Sequence, residues 1–394
     1  MKIHIAIVSD QILANLIPAL MDRPDKVVLV ATTDMAAKRL DRRLADALAR
    51  AGLATEIVCN APDVRLAEIH EFAYELLGRL QQENPGASIE LNATGGTKPM
   101  MLGFVDIFRG DAARILYTDT RHRRIEYFPA PRQPAIPPTP MADVLNVIDY
   151  LRAQGFLYRD ACSDSPEWRK SAAARKESAK LMGKHAADPD MQNFIGAINS
   201  MADKSLDNNG ENLIAPIQSL GQKTPWGIWK DMLGKFSKAG LIKWFGDTNI
   251  EFPDIEAAHF LRGGWLEEYA WHIVKDAQVS DARMSVTGSW ENGREANNEF
   301  DVLATHGNQL LFVECKTLRH GRDGSSEKDS DILYKLDSLG RDARGLFGSS
   351  WLLSARQPTT EMLDRANGQG IRILGPDELP DLRKVVQQWM ATPQ

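Results

Sequence analysis

The sequence has few cysteines, no long apolar run and no excess of positive charge. Its three cysteines, Cys59, Cys162 and Cys315, are widely separated and form no CxxC pair, which argues against a disulfide framework or a zinc site and fits a reducing cytoplasm. No stretch of about eighteen apolar residues occurs, and the amino terminus lacks the apolar segment of a signal peptide, so we expect no membrane association. A net charge of -6 argues against a protein that coats nucleic acid nonspecifically, although a local basic channel is still compatible with it.

The length and one proline-rich segment predict several domains. A chain of 394 residues exceeds a single ordinary core, and its contents of 43% hydrophobic and 25% charged residues are those of a globular protein. Residues 129–140, PAPRQPAIPPTP, are typical of a semi-rigid extended linker. We therefore expect an amino-terminal domain over residues 1–130, a linker over 131–140, a connector over 141–255 and a carboxyl-terminal domain over 256–394.

The first 120 residues alternate strand patterns with amphipathic helical patterns. Strands are predicted at residues 3–8, 27–31, 56–59, 88–92 and 114–117. This alternation predicts a doubly wound, mostly parallel sheet, in which ligands bind beyond the carboxyl ends of the strands. Polar residues follow the first, second and fourth strands, and we expect a ligand site there.

The segment after the fourth strand, Asn92 to Lys98 (NATGGTK), has the chemistry of an anion-binding loop. It leads into a helix that Pro99 can begin in its first turn, and its two glycines let main-chain amides approach a ligand closely. Its threonine hydroxyls and its lysine are donors for phosphate or ribose. The segment matches neither the Walker A spacing nor the GxGxxG dinucleotide fingerprint. A plain strand-to-helix turn with a threonine cap is the alternative.

This loop, in the fourth strand-helix unit of a Rossmann-like domain, closely resembles the CARF domains of type III CRISPR defence proteins. The pattern ILYTDTRHRRIEYFP that follows, a terminal β-hairpin, also fits that family. The resemblance implies that the domain binds a cyclic oligoadenylate within a homodimer, because a rotationally symmetric ring can meet the same loop twice. The ligand contacts that it implies are Ser9, Asp10, Gln11, Thr32, Thr33, Asn92, Thr94, Gly95, Gly96, Thr97 and Lys98.

A second segment, residues 298–317 (NEFDVLATHGNQLLFVECKT), predicts a small hydrolytic site. The pair Gly307-Asn308 suits a two-residue hairpin turn, which places Asp301 directly opposite Glu314. Cross-strand neighbours have Cβ atoms roughly 5 Å apart, so one divalent cation can bridge both carboxylates. Lys316 is two residues beyond Glu314 and shares its face. An exposed hairpin with cross-strand ion pairs is the alternative.

The order of elements around this hairpin resembles the PD-(D/E)XK nuclease superfamily. The helical pattern GGWLEEYAWHIV precedes the hairpin, and DILYKLDSLGRDARGLFG and the strand SSWLLSA follow it. The catalytic residues that the resemblance implies are Glu267, Asp301, Glu314, Lys316 and Lys335. Of these, Asp301 and Glu314 would bind Mg²⁺ or Mn²⁺ together with the main-chain carbonyl of Cys315. Lys316 would orient the attacking water. Glu268 is the neighbouring alternative to Glu267.

The region between the two domains predicts a helical connector with a winged helix. Residues 226–254 have the order helix, turn and short hairpin. Winged helices often bind DNA, and Lys230, Lys235 and Lys238 would supply cations for it. The alternative is a unit that only couples the two domains.

Together the two ends resemble effectors with one CARF and one nuclease domain per chain. The expected fold class is α/β, with an amino-terminal Rossmann-like CARF domain, a helical or winged-helix connector and a carboxyl-terminal restriction-endonuclease-like PD-(D/E)XK domain. The implied function is a cytoplasmic homodimeric nuclease that cyclic tetra-adenylate activates to cut single-stranded or supercoiled DNA and, in many family members, RNA. Two alternatives stay open: a constitutive restriction or repair nuclease, and a ligand-responsive winged-helix regulator that binds DNA.

Overall fold

A computed structural model describes residues 1–129, 134–291, 297–317, 333, 336 and 347–392. The amino-terminal part alternates strands and helices as the sequence pattern predicts. Its strands are β1 (Lys2–Ile7), β2 (Lys26–Val30), β3 (Ala54–Val58), β4 (Ser88–Asn92), β5 (Arg114–Asp119), β6 (Arg124–Tyr127) and β7 (Thr139–Pro140). Its helices are α1 (Ile12–Asp22), α2 (Thr33–Ala37), α3 (Leu40–Arg50), α4 (Leu66–Glu83) and α5 (Lys98–Phe108).

These strands form one sheet in the order β3-β2-β1-β4-β5-β6-β7. The pairs among β1 to β5 are parallel and the last two pairs are antiparallel, which confirms the predicted doubly wound sheet with a terminal hairpin. The central strand β1 is buried beyond its first residue, as expected for a strand covered by helices on both faces. The strand order reverses beside β1, and this switch point brings the loops after β1, β2 and β4 to one edge.

The carboxyl-terminal part is built on a second sheet in the order β15-β14-β13-β12-β11-β8. Its strands are β8 (Phe156–Ala161), β11 (Asp281–Trp290), β12 (Asn298–His306), β13 (Gln309–Lys316), β14 (Gly348–Ser354) and β15 (Ile371–Leu374). The sheet is mixed, because β13, β14 and β15 pair in parallel and the other pairs are antiparallel. The edge strand β8 comes from the predicted connector and pairs with β11 across a β-bulge.

The remaining elements belong to the connector and the carboxyl-terminal part. The helices are α6 (Val147–Ala153), α7 (Pro166–Lys184), α8 (Pro189–Ser205), α9 (Ile228–Lys238), α10 (Ile255–His259), α11 (Trp265–Asp276), α12 (Thr360–Gly368) and α13 (Leu382–Ala391), and a π-helical turn, Phe260–Gly264, joins α10 to α11. Two short strands, β9 (Ile217–Ser219) and β10 (Asn249–Glu251), flank α9 and pair antiparallel. None of the helices in the described ranges combines the length and the apolar character that crossing a membrane requires.

The two large sheets meet through a shared apolar core. One buried cluster joins Leu44 of α3 and Tyr150 of α6 to Phe156, Phe300 and Leu352 of the second sheet. The rings of Phe156 and Phe300 meet edge to face with their centroids 5.2 Å apart. Because burial of apolar surface contributes about 25 cal/mol per Å², this core holds the amino-terminal sheet against the second sheet.

A buried polar cluster lies near the start of strands β1 and β4. Among the described residues, His4, Asp22 and Glu90 form a group of potential metal ligands whose donor atoms lie within 4.8 Å of one another. Lys2 Nζ and Arg114 Nη2 contact the Glu90 carboxylate at 3.2 and 2.6 Å, so two cations already balance the two acids. A divalent cation would add uncompensated charge in this buried place. We therefore assign the cluster a structural role.

We expect this cluster to make the protein less stable in weak acid. Burial lowers the pKa of His4 to about 4, with Asp22 opposing the shift and Lys2 and Arg114 adding to it. The unfolded chain binds a proton on His4 below its usual pKa of 6.5, whereas the folded chain does so only below about 4, so stability is lost as the pH falls through this window. The loss between pH 7 and pH 5 is about 2 kcal/mol. The free energy of unfolding of His4→Gln, measured with denaturant, should depend less on pH over this range. An undiminished pH dependence would show that buried His4 is not its cause.

Candidate active site and ligand loops

The hairpin of β12 and β13 carries the candidate catalytic residues. Its turn is the pair Gly307-Asn308, with φ of 58° and 60°, the left-handed conformation that a two-residue type I′ turn requires. The ladder extends from the turn to the pair Val302 and Val313, so the next residues along, Asp301 and Glu314, lie opposite each other. The register predicted from the sequence is confirmed.

Asp301 lies where the pairing of β12 with β11 is interrupted by an unusual backbone conformation in β11. The pairing of β11 with β12 skips Ser285, the residue opposite Asp301, and the φ of Ser285 is 50°. The Asp301 Oδ2 atom accepts a hydrogen bond from the main-chain N–H of Cys315 at 2.7 Å. Residues held in sparsely populated backbone conformations of this kind cluster at active sites. The hydrogen bond from Cys315 holds the Asp301 carboxylate at the end of β13.

Glu314 and Lys316 form an ion pair on β13 between a buried acid and a half-buried lysine. Glu314 is 2% exposed, and Lys316 Nζ lies 2.7 Å from its Oε1 atom. Burial disfavours the ammonium, but the neighbouring charges, chiefly the carboxylates of Glu314 and Asp301, together outweigh that effect and raise the pKa of Lys316. The lysine therefore stays protonated at neutral pH and acts as a cation and a hydrogen-bond donor.

Helix α11 separates the roles of two adjacent glutamates. Glu268 is 4% exposed and receives hydrogen bonds from Arg175 of α7, with Nη2–Oε1 at 2.7 Å and Nε–Oε2 at 3.2 Å. Glu267 lies beside the hairpin instead, where burial and the charge of Asp301 raise its pKa to about 8. The sequence left Glu268 as an alternative to Glu267. In the structure Glu267 lines the same cleft as Lys316, whereas Glu268 forms an ion pair with Arg175.

A cleft of about 1140 Å³ opens in front of these residues. Glu267, Glu299, Cys315 and Lys316 line it together with residues of helix α8. Its polar lining includes Asn193 and Ser200 of α8 and, from other segments, His259, Arg262 and Arg356. Sequence reasoning missed these residues because they belong to no motif, and only the fold brings them together. The predicted catalytic residue Lys335 lies outside the described residues.

The loop after β4 is shaped by two of the predicted ligand residues. Asn92 is fully buried and donates to the main-chain oxygen of Ala14 at 3.2 Å, while its own oxygen accepts from the N–H of Thr94 at 3.0 Å. The Thr94 hydroxyl oxygen also accepts from the N–H of Thr118 on β5 at 2.8 Å. Asn92 and Thr94 therefore fix the loop to its neighbours.

The rest of this loop faces the open edge of the sheet. Gly95 must be glycine because a Cβ there would overlap the main-chain oxygen of Ile7, and Gly96 has a φ of 76°. Thr97 caps α5 through its hydroxyl, and Lys98 is exposed at the start of that helix. Main-chain amides, the helix amino end and an ammonium group thus converge in a place suited to an anion.

The other predicted ligand residues follow β1, which pairs with β4, and β2, which pairs with β1 on its other side. Asp10 and Gln11 are exposed and Ser9 is half-buried. Thr33 is exposed, whereas Thr32 is 6% exposed and caps α2 with its hydroxyl. All three loops therefore lie at one edge, as the doubly wound topology predicts.

Sequence reasoning missed one cation at this edge. Lys38 Nζ lies 2.9 Å from Asp34 and 3.4 Å from Asp10. Lys38 follows Asp34 by four residues, a spacing typical of an ion pair on a helix, and this spacing could have revealed the pair in the sequence. Lys38 thus adds an ammonium group, paired with two aspartates, to the same edge as Lys98.

Two family models match the chain. The model of the Card1 CARF domain matches residues 3–150, and the model of the Card1-like endonuclease domain matches residues 254–393. The chain belongs to the Card1-like family. It combines a CARF domain with an endonuclease domain, as the two resemblances in the sequence predicted.

Several solved structures share the fold of this Card1-like chain. Protein VC1899 from Vibrio cholerae matches with a TM-score of 0.83 and 22% identity, over 100% of this chain and 98% of that one. Can2 from Sulfobacillus thermosulfidooxidans, in complex with cyclic tetra-adenylate, matches with a TM-score of 0.74 and 24% identity, over 98% and 97%. A type III CRISPR defence DNA nuclease activated by cyclic oligoadenylate matches with a TM-score of 0.53 and 18% identity, over 97% and 51%. No curated protein matches the chain by sequence.

Proposed function

We propose that this Card1-like chain is a homodimeric, metal-dependent nuclease of type III CRISPR defence, which cyclic tetra-adenylate activates to cut DNA and single-stranded RNA in the cytoplasm. The observation that carries the proposal is that one chain combines a candidate catalytic site with a candidate anion-binding loop. The first site holds the Glu314 and Lys316 pair beside Asp301 and Glu267, and the second is the anion loop that ends in Lys98. Further support comes from the similar structures, one holding cyclic tetra-adenylate and one described as activated by cyclic oligoadenylate.

The donor set of the candidate active site fits a hard divalent cation. Asp301, Glu314 and the main-chain carbonyl of Cys315 are oxygen donors, which Mg²⁺ and Mn²⁺ prefer. Glu267 adds a third acid. Its pKa is raised by burial and by repulsion from the nearby Asp301 charge, and a bound cation would relieve that repulsion. When bound, the metal supplies an activated water and stabilises charge on the phosphate.

The protein's own residues prepare the site for an in-line displacement. Lys316 lines the cleft, so its ammonium can hold the attacking water or a phosphate oxygen while Glu314 fixes it at 2.7 Å. The main-chain N–H of Cys315 fixes Asp301 in the same way. Because these partners are in place before substrate binds, little reorganisation is needed during the reaction. Lys335 stays a predicted catalytic residue.

The CARF domain is called the sensor from here on. Its loops after β1, β2 and β4 suit the phosphates and riboses of a cyclic oligonucleotide. The groups proposed to contact it are the side chains of Ser9, Asp10, Gln11, Thr32, Thr33, Thr97 and Lys98 and the main chain of Gly95 and Gly96, with Asn92 and Thr94 supporting the loop. A two-fold dimer presents each of these groups twice to one symmetric ring. Activation requires that the ligand bind one arrangement of the nuclease domains more tightly than another.

The first experiment incubates the purified protein with Mn²⁺ or Mg²⁺ and supercoiled plasmid, single-stranded DNA or RNA, each with and without cyclic tetra-adenylate. We expect rapid cutting only when metal and activator are both present, and none after chelation with EDTA. Equally rapid cutting without the activator would favour the constitutive nuclease. Absence of cutting in every lane would favour the winged-helix regulator, for which a DNA-binding assay is the direct test.

A further inference from the structure

The turn of the catalytic hairpin lies at a junction with the sensor sheet. Arg123, in the turn between β5 and β6, donates to the main-chain oxygens of Met390 and Thr392 at 3.3 and 2.5 Å. Its guanidinium therefore caps the carboxyl end of α13, where a cation is favoured. Its Nη1 atom also lies 3.1 Å from the position that a Cβ on Gly307 would take. One side chain of the CARF sheet thus binds the end of helix α13 and lies directly beside the hairpin turn.

The segment that leaves the sensor holds the same turn. Asp143 accepts hydrogen bonds from the N–H groups of Gly307 and Asn308 at 2.8 and 3.1 Å. The Asn308 side chain makes three more bonds to the main chain of residues 142–145, at 2.7, 2.9 and 3.2 Å. Since these residues directly follow β7, the turn is attached to the sensor sheet from two directions.

The same part of the sensor sheet supports the anion loop. Thr118 lies near the carboxyl end of β5, and its N–H donates to the Thr94 hydroxyl oxygen at 2.8 Å. The Thr118 hydroxyl donates in turn to the main-chain oxygen of Ala14 at 2.8 Å. The turn that carries Arg123 begins directly after β5. A displacement of Thr94 by a ligand therefore acts on the strand end beside Arg123.

We propose that Arg123 and Asn308 are positioning residues that transmit ligand binding in the sensor to the catalytic hairpin. The inference rests on the proposed function. The hairpin is a continuous ladder from its turn toward Asp301 and Glu314, which lie about 20 Å from the turn at the rise of a β-strand. A shift of the turn is therefore passed along the ladder to the carboxylates. Loss of either positioning residue weakens the coupling between the two sites and leaves both sites intact.

The variants Arg123→Ala and Asn308→Gly test this coupling. Glycine at position 308 keeps the left-handed turn and removes only the side-chain bonds. For each variant, cutting rates with and without cyclic tetra-adenylate, binding of labelled cyclic tetra-adenylate and the melting temperature are measured. We expect the ratio of stimulated to unstimulated rates to fall about 10-fold, with ligand affinity unchanged within about 3-fold. Arg123→Lys, which keeps a cation at the helix end, should recover part of the ratio.

Arg383→Ala is the matched control, because Arg383 is exposed on the same helix α13 and should keep the wild-type ratio. A purely structural role would lower the melting temperature and both rates together. That outcome, or a wild-type ratio in both test variants, overturns the coupling while the proposed function stands. A wild-type protein that is not stimulated by cyclic tetra-adenylate overturns the proposed function and the coupling with it.

Discussion

Replacing Glu314 by glutamine lowers the rate of cutting by about 10³-fold and leaves the fold and activator binding intact. The change keeps the size of the side chain but removes a charge that binds the cation and holds Lys316 Nζ at 2.7 Å. Asp301→Asn has the same effect, because the amide oxygen still accepts from the N–H of Cys315 while the charge for the metal is lost. Initial rates on supercoiled plasmid, at saturating cyclic tetra-adenylate and Mn²⁺, measure the loss.

The matched control is Glu361→Gln, an isosteric change at an exposed acid in the first turn of α12. This variant should cut at the wild-type rate. Binding of labelled cyclic tetra-adenylate is measured in parallel on all three variants. Loss of binding in Glu314→Gln would mean that the two sites are misassigned, and near-normal cutting in Asp301→Asn would remove the hairpin from the catalytic site.

Lys98→Ala weakens activation by cyclic tetra-adenylate about 100-fold or more. A charge-assisted hydrogen bond contributes about 1.5–3 kcal/mol, and a two-fold dimer would present the lysine twice to one ring. Because Lys98 is exposed at the start of α5, the fold should be unaffected. At high activator concentration the rate of cutting should return toward the wild-type value, since the catalytic hairpin is unchanged. A titration of the cutting rate against activator concentration gives the shift.

Lys184→Ala, at an exposed lysine at the end of α7, is the control for this titration and should follow the wild-type curve. Lys98→Arg keeps the charge and should lie between the two. A Lys98→Ala curve that superimposes on the wild type would exclude this loop from the ligand site. A curve that keeps its midpoint but loses its maximum would assign Lys98 to transmission instead of binding.

The features that the sequence predicted are those governed by local rules. The bounds predicted for strand β4, Ser88–Asn92, are the observed ones, because the alternating pattern SIELN is followed closely by a turn with two glycines. The pair Gly307-Asn308 set the hairpin register in the same way, since a two-residue turn allows one pairing of the flanking strands. The positions of Asp301 and Glu314 relative to each other followed from that register alone.

The features that the sequence did not predict depend on residues far apart in the chain. Arg175 lies 93 positions from Glu268, and only their ion pair assigns that glutamate a structural role. The burial of Asn92 follows from its bond to α1, 78 positions away, so composition alone made it resemble an exposed ligand contact. The left-handed conformation of Ser285 in β11, opposite Asp301, has no signature in residue type. The predicted domain boundaries stay predictions.

The edge strand β8 determines where the endonuclease part begins as a folding unit. A fragment that starts at residue 254, where the endonuclease family match begins, would lack both β8 and α7. The ten-residue strand β11 would then present an unpaired edge, which is a template for pairing with other chains. Glu268 would also lose Arg175, and an uncompensated buried charge costs about 3–5 kcal/mol. We expect such a fragment to aggregate. Isolated endonuclease fragments, and chimaeras that exchange domains between relatives, should therefore begin before β8, at or before Phe156.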